Sequence, residues 1–124
     1  MSRPEFQKDQ YPEDHTFSAI PRDKEPGWIV PDRLRHRWEL QTGKSQRKLP
    51  PLLRELESID VFIHDSDHTF PCMMFEYELS WEYLSSDGVL LSDDIHTNNA
   101  FDIFGQKRAN QYGKACLNLG YALK

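Results

Sequence analysis

The chain has 124 residues and a formal net charge of −5, with 38% hydrophobic and 28% charged residues. These values are typical of one small soluble domain, and they exclude a membrane-spanning protein because every apolar run is far shorter than the roughly 20 residues a spanning helix needs. Residues 1–50 hold ten Lys and Arg against eight Asp and Glu, whereas residues 51–124 hold five against twelve. We therefore expect neither nucleic acid nor membrane as a partner, and we expect a cytoplasmic location.

The amino-terminal residues lack the regular spacing of apolar residues that indicates helices or strands. Residues 1–27 contain four prolines and many charges with almost no apolar periodicity, which predicts an irregular segment followed by one domain over residues 28–124. Residues 31–37 favour a short helical turn, and residues 38–42 alternate as a strand does before Gly43.

A helix is predicted after Gly43. Ser45 is a candidate cap, and Leu53 lies in the middle of an apolar stripe at helical spacing that comprises Leu49, Leu52, Leu53 and Leu56. Proline lacks the N–H that a helix interior needs, so Pro50 and Pro51 are expected in or before the first turn.

Two apolar stretches that each end in acids follow. Residues 59–68 read Ile-Asp-Val-Phe-Ile-His-Asp-Ser-Asp-His, residues 88–95 read Gly-Val-Leu-Leu-Ser-Asp-Asp-Ile, and residues 70–84 between them show helical spacing. This order predicts a parallel strand–helix–strand unit, whose two strands end at the same edge of the sheet. Four carboxylates should therefore converge at that edge, and their mutual repulsion calls for a cation or shared protons. They belong to Asp65, Asp67, Asp93 and Asp94.

The rest of the chain predicts a helix near residues 98–104, with Phe101 and Phe104 on its inner face, and one or two strands within residues 114–123. Alternating strands and helices indicate an α/β fold with a mainly parallel sheet and flanking helices. Large aromatic residues at helical spacing, including Phe75 and Trp81, are expected in the core. The two cysteines, Cys72 and Cys116, are expected to be buried thiols and not a disulfide.

The segments 59–69 and 88–94, with Phe75 and Glu76 between them, resemble the carboxyl-terminal half of class I S-adenosylmethionine-dependent methyltransferases. The most similar group is the small-molecule methyltransferases whose fourth strand ends in Asp-x-x-His, here Asp65 and His68. The resemblance extends over about residues 16–105 and implies a partial Rossmann-like fold.

The same resemblance implies a function and a site. Gly43-Lys44-Ser45 is similar to the family's Gly-Asp-Ser, with Lys44 in place of the acid, so Gly43, Ser45 and Asp65 are implied to contact S-adenosylmethionine. Some relatives hold Mg²⁺ at the ends of the fourth and fifth strands, which implies a magnesium site for O-methylation at Asp65, Asp93 and Asp94. His68 or His64 beside Asp65 is then the expected proton acceptor, because imidazole titrates near neutral pH.

Two departures leave alternatives open. The family's first strand and glycine loop would lie before Met1, and residues 17–21 lack the acid that binds the cofactor's ribose. The chain is therefore expected to be a truncated, split or degenerate methyltransferase. It would be completed by a second copy or by a complementing amino-terminal chain, since a central strand left at a sheet edge invites pairing. The alternatives to the small-molecule methyltransferase are a non-catalytic, partner-dependent fragment and a metal-dependent glycosyltransferase-like enzyme that uses Asp65-Ser66-Asp67.

Overall fold

The structure, a computed structural model, describes residues 20–124. The chain forms two compact units, residues 1–43 and residues 44–124. The predicted irregular segment lies mostly outside the described residues, and the predicted start of the domain at residue 28 stays a prediction.

The described part of the first unit contains one 3₁₀-helix, Asp32–Arg37, at the position of the predicted helical turn. Arg35 lies 3.5 Å from the Asp32 carboxylate and donates a hydrogen bond to the carbonyl of Gly27. The strand predicted over residues 38–42 is wrong, although Trp38 has an extended backbone. An extended segment forms a strand only when its backbone groups pair with a neighbour, and no described strand pairs with this one.

The second unit alternates helices and strands, which confirms the predicted α/β class with flanking helices. Its elements are α1 (Ser45–Leu56), β1 (Ile59–His64), α2 (Phe70–Tyr83), β2 (Leu84–Ser92), a 3₁₀-helix (Ile95–Thr97), α3 (Ala100–Arg108), β3 (Gln111–Cys116) and β4 (Leu119–Leu123).

The sheet of the second unit has the strand order β1-β2-β4-β3. Strands β1 and β2 are parallel, as predicted for the strand–helix–strand unit, and their register places His64 beside Ser92. The other two pairings are antiparallel, so the sheet is mixed where we expected it to be mainly parallel. The short connection explains the pairing of β3 with β4, because Leu117 and Asn118 are enough for a hairpin and too few for a parallel crossover.

Helix α1 differs from the prediction at its start and in its interior. The cap residue is Lys44, and the predicted cap Ser45 is the first helical residue. Pro50 and Pro51 lie in the second turn, so their expected place in or before the first turn is wrong. The residues four positions earlier are exposed, so their unpaired carbonyls can accept hydrogen bonds from water.

Helices α2 and α3 pack on one face of the sheet and form the core with it. Tyr77 and Phe104 are fully buried there, and Phe101 and Trp81 are nearly so, as the sequence predicts. Gly105 lies inside α3, where a Cβ atom would approach the Tyr112 ring to 2.4 Å, so this glycine allows the helix to pack closely. The remaining members of the core cluster are Met73, Leu84, Leu90, Ala100 and Ala122.

Three further observations concern the cap of α2, the two cysteines and the search for membrane-spanning helices. Thr69 caps α2, with its side chain accepting a hydrogen bond from the backbone of Cys72. Both cysteines are free, but only Cys72 is buried, so the expected burial of Cys116 is wrong. Within residues 20–124, no helix has the length and apolar character that crossing a membrane requires, and the cytoplasmic location stays a prediction.

Candidate functional site

The carboxyl ends of β1 and β2 bring acidic residues together. The backbone N–H of Asp93 donates to the carbonyl of His64 at 2.9 Å, which extends the parallel pairing beyond the last residue of β2. Asp94 then adopts a left-handed backbone conformation with φ 50° and ψ 44°, which Asp tolerates better than most residues. The next N–H, from Ile95, donates to the carbonyl of Asn118 and fixes the turn in place.

We call Asp65, His68, Asp93 and Asp94 the open cluster. Each offers a possible ligand atom, and these atoms lie within 4.8 Å of one another. His68 Nε2 lies 3.7 Å from Asp65 Oδ1 and 3.7 Å from Asp94 Oδ2. It is a buried atom without a hydrogen-bond partner in the described structure, whereas the Asp65 side chain is 63% exposed. Asp67, the fourth predicted acid, is exposed and lies outside this cluster.

The surroundings of Asp65 in the open cluster disfavour its charged form. Burial raises the pKa of Asp65 above its ordinary value. The charge of Asp93 raises that pKa further, as does a hydrogen bond that the protonated Asp65 carboxyl donates to Asp93. A proton or a cation bound between the carboxylates relieves this repulsion.

The donor set of the open cluster fits Mg²⁺. Magnesium prefers oxygen ligands, of which carboxylates are the strongest, and it retains several waters when few protein ligands are present. Asp65, Asp93 and Asp94 supply those oxygens beside His68, whose Nε2 atom has no partner among the described residues. A buried nitrogen without a protein partner beside three acids is typical of a site that binds an ion or a water.

Asn98 holds His68 in position, and sequence reasoning missed this residue. Its amide donates to the backbone carbonyl of His68 at 3.2 Å, and its side-chain oxygen accepts from the N–H of Ala100 at 2.9 Å. These hydrogen bonds tie the loop between β1 and α2 to the start of α3. The available signal was an Asn at the start of the helix predicted near residues 98–104, which is typical of a local backbone contact.

His64 lies on the other side of β1 from Asp65. It is fully buried, and its ring centroid is 5.6 Å from that of His68. Burial lowers the pKa of His64 below its ordinary value, and the nearby Glu76 carboxyl opposes that shift only in part. The two histidines predicted as alternative proton acceptors therefore lie in different surroundings.

His64, Cys72 and Glu76 form a second group, which we call the buried cluster. All three are buried and also offer ligand atoms within 4.8 Å of one another. Glu76 Oε2 accepts hydrogen bonds from the hydroxyl of Ser66 at 2.6 Å and from the Cys72 thiol at 3.3 Å. Burial, with a smaller effect of Glu76, raises the pKa of Cys72 to about 11. Sequence reasoning did not find this group, although the i, i+4 spacing of Cys72 and Glu76 places them on one face of α2.

The residues implied to contact the cofactor are divided between the two units of the chain. Gly43 belongs to the first unit and has a φ of 138°. Ser45 Oγ lies 3.9 Å from Cys72 Sγ, and Asp65 belongs to the open cluster.

Comparison with known proteins gives one match. A family model described as "Methyltransferase domain" matches residues 6–95, about three quarters of the chain, and ends just after Asp94. No curated protein and no solved structure matches. The matched range contains β1, α2 and β2, and with them both clusters.

Proposed function

This chain belongs to the family of methyltransferase domains. From that premise we propose that it transfers a methyl group from S-adenosylmethionine to an oxygen of a small molecule, with Mg²⁺ bound at the open cluster. The observation that supports this proposal is the convergence of three carboxylates and one histidine at the ends of two parallel strands. Ligands of open parallel sheets bind at this edge.

In this proposal Asp65, Asp93 and Asp94 hold the ion. A bound Mg²⁺ lowers the pKa of a substrate hydroxyl and leaves part of its coordination shell to water and substrate. The protein's own contribution is to hold the three carboxylates on rigid strand ends, since β1 and β2 are joined by backbone hydrogen bonds up to Asp93.

His68 is the proposed proton acceptor. Its Nε2 atom has no hydrogen-bond partner in the described structure, so it is free to accept a proton from a hydroxyl bound nearby. Asp65 Oδ1 and Asp94 Oδ2, each 3.7 Å away, would stabilise the imidazolium that forms. His64 is fully buried, which makes it a poorer candidate for this role.

The test uses the full chain, S-adenosylmethionine and a panel of hydroxylated small molecules, and it measures S-adenosylhomocysteine formation with and without Mg²⁺. We expect Mg²⁺-dependent turnover that falls at least about 100-fold in His68→Gln, the size typical of losing a general base. The matched control is Asp67→Asn, which changes an exposed acid outside the cluster and should retain turnover. Formation of product at the same rate without Mg²⁺, or no formation with any acceptor, would contradict the proposal.

A second candidate, the partner-dependent fragment, is supported by the edge of the sheet. Strand β1 is an edge strand of the described sheet, and Val61 and Ile63 on its outer face are 53% and 62% exposed. We propose a second copy of the chain as the partner. An antiparallel pairing of two β1 strands about Phe62 places Val61 of each copy opposite Ile63 of the other, so the contact is self-complementary.

A further inference from the structure

The buried cluster combines three different ligand chemistries in one small space. It contains an imidazole nitrogen, a thiol sulfur and a carboxyl oxygen, and the exposed fractions of His64, Cys72 and Glu76 are 0%, 5% and 4%. Polar groups at this depth normally have their hydrogen bonds satisfied, because leaving one unpaired in the interior costs free energy.

The fold brings these three side chains together from two elements. His64 is the last residue of β1 and alternates onto the same face as Phe62, which packs against the core. Cys72 and Glu76 lie one turn apart on α2, which follows β1 along the chain and covers that face. The cluster therefore joins the end of β1 to the first half of α2.

Within this cluster the described residues leave His64 with few hydrogen bonds. His64 Nδ1 has no partner among the described residues, and Nε2 has only the Ser66 hydroxyl at 3.5 Å. Glu76 Oε1 lies 3.9 Å from that Nε2 atom, which is too long for a hydrogen bond. Both donors to the carboxyl group, Ser66 and Cys72, reach the other oxygen, Oε2.

The ligand atoms of the three residues lie within 4.8 Å of one another, close to the spacing of ligands around one metal ion. Ligands bound at about 2.0–2.3 Å to a tetrahedral zinc ion lie roughly 3.3–3.8 Å apart. The distance from Cys72 Sγ to Glu76 Oε2 is 3.3 Å, and the distance from His64 Nε2 to Glu76 Oε1 is 3.9 Å. A cysteine ligand favours zinc over magnesium, because a thiolate is a soft donor and magnesium prefers oxygen.

We propose that His64, Cys72 and Glu76 bind a Zn²⁺ ion, with a water held by the Ser66 hydroxyl as the fourth ligand. Binding displaces the proton of the Cys72 thiol to solvent. The positive charge of the ion balances the negative charge of the buried Glu76 carboxylate. The zinc ties β1 to α2 directly before Asp65, so it supports the strand end that carries the open cluster. This site is separate from the proposed methyl transfer and does not depend on it.

The experiment loads the full chain with Zn²⁺ alone, removes unbound metal by dialysis and measures zinc by mass spectrometry. We expect one equivalent in the wild type and in Cys116→Ser, the matched control for the exposed cysteine, and loss of it in Cys72→Ser. Glu76→Gln should weaken binding at least about tenfold, as expected when a ligand loses its charge. Asp94→Asn should retain the zinc, which separates this site from the open cluster.

A second measurement covers the case in which Cys72→Ser fails to fold. Titration of the wild type with Co²⁺ should give a near-ultraviolet thiolate-to-cobalt absorption band, and added Zn²⁺ should abolish it. The absence of that band in a folded wild type, or its loss in Cys116→Ser with retention in a folded Cys72→Ser, would overturn the proposal.

Discussion

On the inner side of β1, Phe62 and His64 face the core, whereas on its outer side Val61 and Ile63 are mostly exposed and Asp65 follows them. Successive side chains of a strand point to opposite faces, so neighbouring residues enter different environments. His64 joins the buried cluster of imidazole, thiol and carboxyl groups, and Asp65 joins the open cluster of carboxylates. Alternation along one strand thus separates a site suited to a soft, buried ion from a site suited to a hydrated, hard one.

The largest expected difference between the two sides concerns stability. Glu76→Ala should lower the free energy of unfolding by about 2–4 kcal/mol, because it leaves the Ser66 and Cys72 donors without their acceptor and creates a cavity. Asp94→Ala in the open cluster should change it by less than about 0.5 kcal/mol in the absence of metal. Urea unfolding of both variants measures the difference. Equal losses of unfolding free energy in the two variants would show that the buried cluster contributes no more to stability than the open cluster does.

Magnesium should act on the outer side only. At a concentration a hundred-fold above its dissociation constant, a ligand of the folded state stabilises it by about 2.7 kcal/mol. We expect Mg²⁺ to raise the melting temperature of the wild type and of Cys72→Ser, and to have no effect on Asp93→Ala, which lacks a carboxylate of the open cluster. Thermal scans with and without Mg²⁺ measure these melting temperatures. An undiminished shift of the melting temperature in Asp93→Ala would contradict a magnesium site at the open cluster.

High pH should destabilise the protein through the inner side. Burial raises the pKa of Tyr77 to about 12, partly offset by its 2.5 Å hydrogen bond with the Ser92 hydroxyl. The unfolded chain loses this proton near pH 10 and the folded chain near pH 12. The contribution of Tyr77 to stability is therefore complete below pH 10 and falls by roughly 2 kcal/mol up to pH 12. Unfolding free energies measured across this range should fall in the wild type and in Tyr121→Phe.

The variant that isolates this effect is Tyr77→Phe. It should be less stable at neutral pH by about 1 kcal/mol, since the Ser92 hydroxyl loses its partner, and its stability should fall less between pH 10 and pH 12. An equally steep fall in Tyr77→Phe would assign the alkaline sensitivity to another group.

The smallest effect on stability is expected for the outer face of β1. Ile63→Lys should change the unfolding free energy of the monomer by less than about 0.5 kcal/mol, because the side chain is 62% exposed. If two copies pair through β1, the same change should dissociate the dimer, since it places lysine opposite Val61 of the partner copy. Sedimentation velocity measures the assembly, with Ala115→Lys on the other edge strand, β3, as the control. A dimer that persists in Ile63→Lys would exclude this pairing.

Much of the second unit could be predicted from the sequence because its signals are local. The apolar runs of β1 and β2, the helical spacing of α2 and the cap at Thr69 each depend on neighbouring residues. The convergence of Asp65 with Asp93 follows from one topological rule for parallel strands.

What could not be predicted depends on contacts that are distant in sequence. The strand expected at residues 38–42 needs a partner that the described residues do not provide, and the prolines of α1 are tolerated because the carbonyls they leave unpaired are exposed. Predicting the buried cluster would have required knowing that His64 points inward, toward the face of α2 that carries Glu76. A pattern of apolar residues gives no reason to expect a carboxyl group on that face.

The central claim is that the open cluster binds the divalent ion used for methyl transfer, and it is tested most directly with Mn²⁺ as a paramagnetic substitute for Mg²⁺. Electron paramagnetic resonance of the full chain measures free Mn²⁺ during a titration in the wild type, Asp94→Asn and Asp67→Asn. We predict one bound Mn²⁺ per chain in the wild type and in Asp67→Asn, displaced by Mg²⁺, and none in Asp94→Asn at the same concentration. A wild type that binds no Mn²⁺, or an Asp94→Asn variant that binds it equally well, would contradict the claim.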